Sequence, residues 1–235
     1  MENNGGLVGG FPEDLEFITG LEYLLLGGNP ELFVGVTEFP PAILAHDRMV
    51  ALSLSDTGLS TEFPEDFGGF TELRFLLLDN NQMKGALPDA LFDLVLLEQL
   101  NLGGNAFTGN LPFDIANLND LTVLDLSDNG LDGNIPDEIG DLPSLLSLDL
   151  TGNRFEGELP ESMGLLQNLV SLKLTGNWLS GAIPDTFKDL TQLIILRLDN
   201  NLFTETIPDF IGENMRSLGK TNARLFMFVR KGVTK

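Results

Sequence analysis

Four ionisable side chains of this sequence could act together: Asp125, Asp149, Lys173 and Arg197, each 24 residues after the one before. Two carboxylates brought side by side suggest general acid–base work or a cation site. A lysine and an arginine on the next two rungs give a simpler account, a ladder of opposite charges across neighbouring strands. The rest of the inventory offers little to catalysis. The chain has one histidine, His46, and no cysteine. A His/Cys metal cluster and a cysteine nucleophile are therefore excluded, and a catalytic triad could draw on that one imidazole only. His46 lies in the stretch Ala45-His46-Asp47-Arg48, which predicts an exposed turn. Glycine pairs at 27–28, 68–69 and 103–104 lack the Lys-Ser/Thr that a phosphate-binding loop needs. The sequence thus predicts no catalytic residue, no metal, no cofactor and no enzyme activity.

The 24-residue spacing is not confined to those four residues. Prolines that follow an apolar residue fall at Pro12, Pro40, Pro64, Pro88, Pro112, Pro136, Pro160, Pro184 and Pro208. The first gap is 28 and every later gap is 24. Asn81, Asn105, Asn129, Asn153, Asn177 and Asn201 keep the same period, with Asn29 and Thr57 in the corresponding slots upstream. The leucines complete the unit: Leu121-x-x-Leu124-x-Leu126-x-x-Asn129-x-Leu131-x-Gly133-x-Ile135-Pro136 recurs on both sides. A fixed period of this length marks a stack of identical supersecondary units.

The pattern inside a unit says what each part does. Leu124 and Leu126 alternate with solvent-facing residues, which is strand spacing. A strand of this length cannot bury its leucines alone, so neighbouring coils must stack. The asparagine is polar at an inward position and must bond to turning backbone of its own and the next coil. After each proline the apolar spacing changes to three, as in Ile139, Leu142 and Leu145, which predicts a short helical turn on the other side of the coil. Eight of the nine prolines are followed within two residues by Asp or Glu, Pro40 being the exception. Proline is pre-set for a first helical position and a carboxylate there meets the positive end of the turn. Much of the acidity is thereby accounted for as scaffold.

The repeat resembles the plant-type leucine-rich repeat, L-x-x-L-x-L-x-x-N-x-L-x-G-x-I-P, from about residue 5 to residue 212. That family includes ectodomains of receptor-like kinases and receptor-like proteins, and the polygalacturonase-inhibiting proteins. The resemblance implies an α/β solenoid: a right-handed superhelix with a parallel concave β-sheet, short 3-10 turns on the convex side and a second short strand at the G-x-I-P segment. It implies recognition of a protein or peptide ligand on the concave face, as in a receptor-like or signalling protein. The alternative is an inhibitor of a cell-wall glycosidase, which would use the same face. In compartment terms the resemblance points to the cell surface or outside. The absence of an Asn-x-Ser/Thr acceptor and of cysteines leaves an intracellular setting open.

The register identifies the outward positions of the concave strands. One row runs Leu25, Ser53, Leu77, Asn101, Asp125, Asp149, Lys173, Arg197, and its neighbour runs Tyr23, Ala51, Phe75, Gln99, Val123, Ser147, Ser171, Ile195. The candidate ligand-binding residues are Tyr23, Leu25, Phe75, Leu77, Gln99, Asn101, Asp125, Asp149, Lys173 and Arg197. They grade from apolar and aromatic, through polar and acidic, to basic. Two further features stand out. Between Asn29 and Pro40 the second unit has four extra residues, with the apolar stretch Pro30-Glu31-Leu32-Phe33-Val34 reading either as a recognition loop or as local repacking. Trp178, the only tryptophan, follows a ladder asparagine at a surface position and is a candidate rim anchor.

Bulk properties bound the partners. The formal charge of −22 argues against nucleic acid and anionic membrane. It is uneven, because all 35 acidic residues lie at or before Glu213 while six of the 13 basic residues lie after Met215. The predicted organisation is a solenoid over residues 1–215, about eight coils, followed by a basic tail or cap over 216–235 in which 225–229 reads as a terminal strand. No apolar run is long enough to insert in a membrane, and residues 1–20 carry acids and glycines in place of a leader's basic start and apolar run.

Overall fold

The computed structural model describes residues 6–10 and 12–204. The predicted basic tail and its terminal strand lie outside the described residues. The described chain is an α/β leucine-rich-repeat solenoid in which each coil contributes one concave strand. The strands are β1 (Tyr23–Leu25), β2 (Ala51–Ser53), β3 (Phe75–Leu77), β4 (Lys84–Gly85), β5 (Gln99–Asn101), β6 (Ala106–Asn110) and β7 (Val123–Asp125). They continue as β8 (Gly130–Asn134), β9 (Ser147–Asp149), β10 (Arg154–Glu158), β11 (Ser171–Lys173), β12 (Trp178–Gly181), β13 (Ile195–Arg197) and β14 (Leu202–Phe203). Eight of them form a parallel sheet in the order β1-β2-β3-β5-β7-β9-β11-β13. The other six, β4 to β14, form a second parallel sheet along the flank. Parallel pairing in strict sequence order follows from the period, because each coil returns the chain to the same place one strand further on.

The core is the stacked leucine columns. Leu76, Leu100, Leu124, Leu148 and Leu172 are each the middle residue of a concave strand and are inaccessible to solvent. A buried leucine contributes about 2 kcal/mol over an exposed one, so the stack rather than any single coil holds the fold. At the N-terminal coils phenylalanine replaces leucine. Phe67 packs edge-on against Phe39, Phe63 and Phe70, and Phe63 stacks on Phe107 with ring centres 5.4 Å apart. These rings fill the space around the longer second unit. The apolar stretch there resolves as repacking at its centre: Leu32 and Phe33 are buried and Phe33 donates its N–H to the Thr57 carbonyl, while Pro30, Glu31 and Val34 are exposed.

The asparagine column is a ladder, with one refinement. The Nδ2 of Asn129 donates to the Leu126 carbonyl of its own coil and to the Leu102 carbonyl of the preceding coil, and its Oδ1 accepts from the Phe107 N–H. The bridge therefore runs backward, to the preceding coil. It repeats at Asn81, Asn105, Asn153, Asn177 and Asn201. One position before it the backbone is left-handed in every coil, from Gly28 through Asp56, Asn80, Gly104, Asp128, Gly152 and Gly176 to Asn200. Only glycine, asparagine and aspartate stand in that column, the residues for which this conformation costs least.

The convex turns are 3-10, as at Phe113–Asn117 and Asp137–Asp141, except for one α-helical turn, α1 (Pro41–Leu44). His46, just after α1, is a correction to the sequence reading. Its side chain is buried at 4% exposure. It stands 24 residues before Phe70 and shares the column of Leu94, Leu118, Leu142, Leu166 and Leu190, so the polar neighbours Asp47 and Arg48 misled where the period would not have. Among the described residues no helix is long and apolar enough to cross a membrane.

Candidate concave recognition face

Strand pairing fixes the two outward rows. Tyr23, Ala51, Phe75, Gln99, Val123, Ser147, Ser171 and Ile195 lie opposite one another along one row. Leu25, Ser53, Leu77, Asn101, Asp125, Asp149, Lys173 and Arg197 do the same along the other. All ten candidate residues thus share one sheet, spanning roughly 34 Å at a strand spacing of about 4.8 Å.

The apolar end has a relief that the sequence did not reveal. Ala51 and Ser53 face outward yet are only 7% and 3% exposed. Larger side chains on both flanking strands overshadow them: Tyr23 and Leu25 on β1, both exposed, and Phe75 and Leu77 on β3, both half-buried. The result is one apolar patch in which the small residues of β2 lie beneath the larger side chains of β1 and β3. Two ion pairs border it where the strands begin, Arg48–Glu22 at 3.3 Å and Arg74–Glu98 at 2.6 Å. The signal for the second pair was present in the sequence, because residues 74 and 98 are one period apart.

The acidic centre is arranged for structure. Asp125 Oδ1 accepts from the N–H of Ser127 at 2.9 Å and from its hydroxyl at 2.6 Å. Asp149 Oδ1 accepts from the Thr151 N–H at 3.1 Å, and its Oδ2 from the Lys173 ammonium at 2.9 Å. Asn101 makes the same turn with the Gly103 N–H. Each side chain curls onto its own turn, satisfying a backbone donor that the strand end leaves open. The carboxylates are one rung apart, yet each is committed, and the Asp149–Lys173 contact supplies one rung of the predicted charge ladder. Arg197 stands one rung beyond Lys173 and is exposed. Among the described residues no group of three or more His, Cys, Asp or Glu side chains is placed to hold a metal ion. Trp178 lies off this face, at the start of the flank strand β12, with its ring exposed.

Comparison with known proteins follows the same lines. A family model described as Leucine Rich Repeat matches residues 96–118, 120–142, 144–166, 168–190 and 192–214. Comparison with curated proteins gives no match. Among solved structures, the chain is similar to the plant peptide hormone receptor RGFR1 in complex with RGF2. That likeness has a TM-score of 0.83 and 34% identity, over 90% of this chain and 33% of that one. It is similar to the Arabidopsis receptor kinase HAESA in complex with the peptide hormone IDA and the co-receptor SERK1, with a TM-score of 0.82 and 33% identity, over 88% of this chain and 34% of that one. It is also similar to a plant ice-binding protein, with a TM-score of 0.72 and 25% identity, over 88% of this chain and 73% of that one. The chain spans about a third of the length of the two receptor chains.

Proposed function

This chain belongs to the plant-type leucine-rich-repeat family, and on that premise we propose that it is a recognition module whose concave sheet holds an extended peptide or protein segment. The observation that carries the reading is the apolar patch of Tyr23, Leu25, Phe75 and Leu77 that covers Ala51 and Ser53. Exposed apolar groups clustered on a rigid sheet favour a partner that removes them from water. Gln99, Asn101, Asp125, Asp149, Lys173 and Arg197 continue the surface with groups that can orient such a ligand along the axis. The similar receptor chains are described in complex with peptide hormones, which supports a ligand of that class. The reading is of binding and includes no catalytic step: the acidic pair is occupied by its own turns and by Lys173. No feature of this face favours the glycosidase-inhibitor alternative over a peptide ligand.

The test is selection from a random-peptide display library on the immobilised protein. Peptides so selected should lose tenfold or more in affinity on the double variant Phe75→Asp/Leu77→Asp, a change of at least about 1.4 kcal/mol. Equal affinity for both proteins would overturn the assignment of the site.

A further inference from the structure

A second surface departs from the scaffold pattern. The residue after the repeat proline runs Glu13, Pro41, Glu65, Asp89, Phe113, Asp137, Glu161, Asp185, Asp209. Seven of these nine are carboxylates, and one is an aromatic ring. Phe113 is the first residue of its 3-10 turn and is 66% exposed, so it has no packing role that would explain the exchange. The carboxylate of this turn stands one residue later, at Asp114. Phe113 lines an open groove of about 740 Å³ across three coils, together with Asp89, Asn110, Pro112, Asp114 and Asn134.

The two asparagines are a second departure. They occupy one column on successive coils, where other coils carry Glu38, Glu62, Ala86, Glu158 and Ala182. Each amide lies across the glycine of the following coil: a Cβ on Gly133 would stand 2.8 Å from Asn110 Oδ1, and one on Gly157 would stand 2.5 Å from Asn134 Oδ1. Unlike the ladder asparagines, neither amide makes a hydrogen bond to another described residue, and both are exposed. Each offers two donors and an acceptor, one coil or about 4.8 Å apart.

We propose that this groove binds a neutral oligosaccharide, with the face of one pyranose ring stacked on Phe113 and its hydroxyls bonded to the amides of Asn110 and Asn134. A pyranose has an apolar face of C–H groups and a rim of hydroxyls that both donate and accept. An exposed ring flanked by amides matches that combination. Asp89 and Asp114 at the margin accept further hydroxyl bonds and repel acidic sugars. A cationic side chain on the ring is the competing occupant. The carboxylates that would favour it, however, recur along the whole column and belong to the scaffold. What distinguishes this groove is one ring and two amides, all uncharged. The groove is open along the coil axis, which suits a chain of sugars better than an enclosed small molecule. None of this depends on the concave face.

The experiment titrates the protein with cellohexaose, laminarihexaose and mannohexaose, read by saturation-transfer NMR and calorimetry, with hexalysine and hexagalacturonate in parallel. At least one neutral hexasaccharide should bind saturably, with little dependence on salt. Phe113→Ala should weaken it tenfold or more, and Asn134→Ala severalfold, while Phe75→Asp/Leu77→Asp leaves it unchanged. Both groove residues are exposed, so the variants fold. Three results would each overturn the proposal: no binding of any neutral sugar at millimolar concentration, binding that Phe113→Ala leaves intact, or binding of hexalysine alone with a steep loss in salt.

Discussion

Asp149 shows how a single side chain can look catalytic and serve the scaffold. Its two oxygens have different partners, a backbone N–H within its own turn and the ammonium of the next rung. The side chain is largely shielded while Lys173 is about one third exposed, which keeps the contact stronger than a surface pair but well below a buried one. Asp149→Asn retains the turn bond and loses the charge. It should lower stability by about 1–2 kcal/mol in urea unfolding. A gain in stability would mean that Asp125 and Asp149 repel each other and await a cation. His46 carries the opposite lesson: its type suggested surface chemistry, while its column placed it among core leucines and phenylalanines. The identity of a residue was a weaker guide here than its phase in the repeat.

At the scale of elements, the convex turns are held by stacking on one another. Gly140 in the turn Asp137–Asp141 is buried, and a Cβ there would run into the backbone carbonyl of Ser162 in the next turn. Its backbone is not left-handed, so the requirement for glycine is one of space. Gly140→Ala should cost about 1–3 kcal/mol, the usual range for overpacking, seen as a lower denaturation midpoint with the circular dichroism of the folded state retained. A neutral effect would show that adjacent turns can slide apart. The concave strands follow a different rule: they are short, and their outward residues pack on no further layer. Variation in those rows therefore leaves the coil intact, which is how Ala51 and Ser53 come to lie beneath larger neighbours.

For the whole molecule, charge sets the balance. The ion pairs among the described residues include two at the surface, contributing about 0.2–1 kcal/mol each, and Asp149–Lys173, contributing about 1–2 kcal/mol, against a formal charge of −22 for the whole chain. Repulsion among carboxylates spread along the coils should outweigh those pairs. The melting temperature is therefore expected to rise between low salt and about 0.5 M sodium chloride, where the screening length falls below the distance between coil-start carboxylates on alternate coils. A fall would show that the ion pairs dominate.

The period alone determined the coil, the strand register, the inward asparagine and the side chains that face outward. It could do so because a unit too short to bury its leucines has one way to stack, and stacking makes position in the unit equivalent to position in space. The left-handed column was legible for the same reason, in its restriction to glycine, asparagine and aspartate. What only the tertiary structure decided were relations between coils that depend on side-chain size and direction. These include the covering of Ala51 and Ser53, the inward turn of Leu32 and Phe33, the way Asp125 curls onto Ser127, and the convergence of Phe113, Asn110 and Asn134 on one groove. A repeat states where each side chain begins, and its neighbours in the adjacent coils decide what space and which partners it finds there.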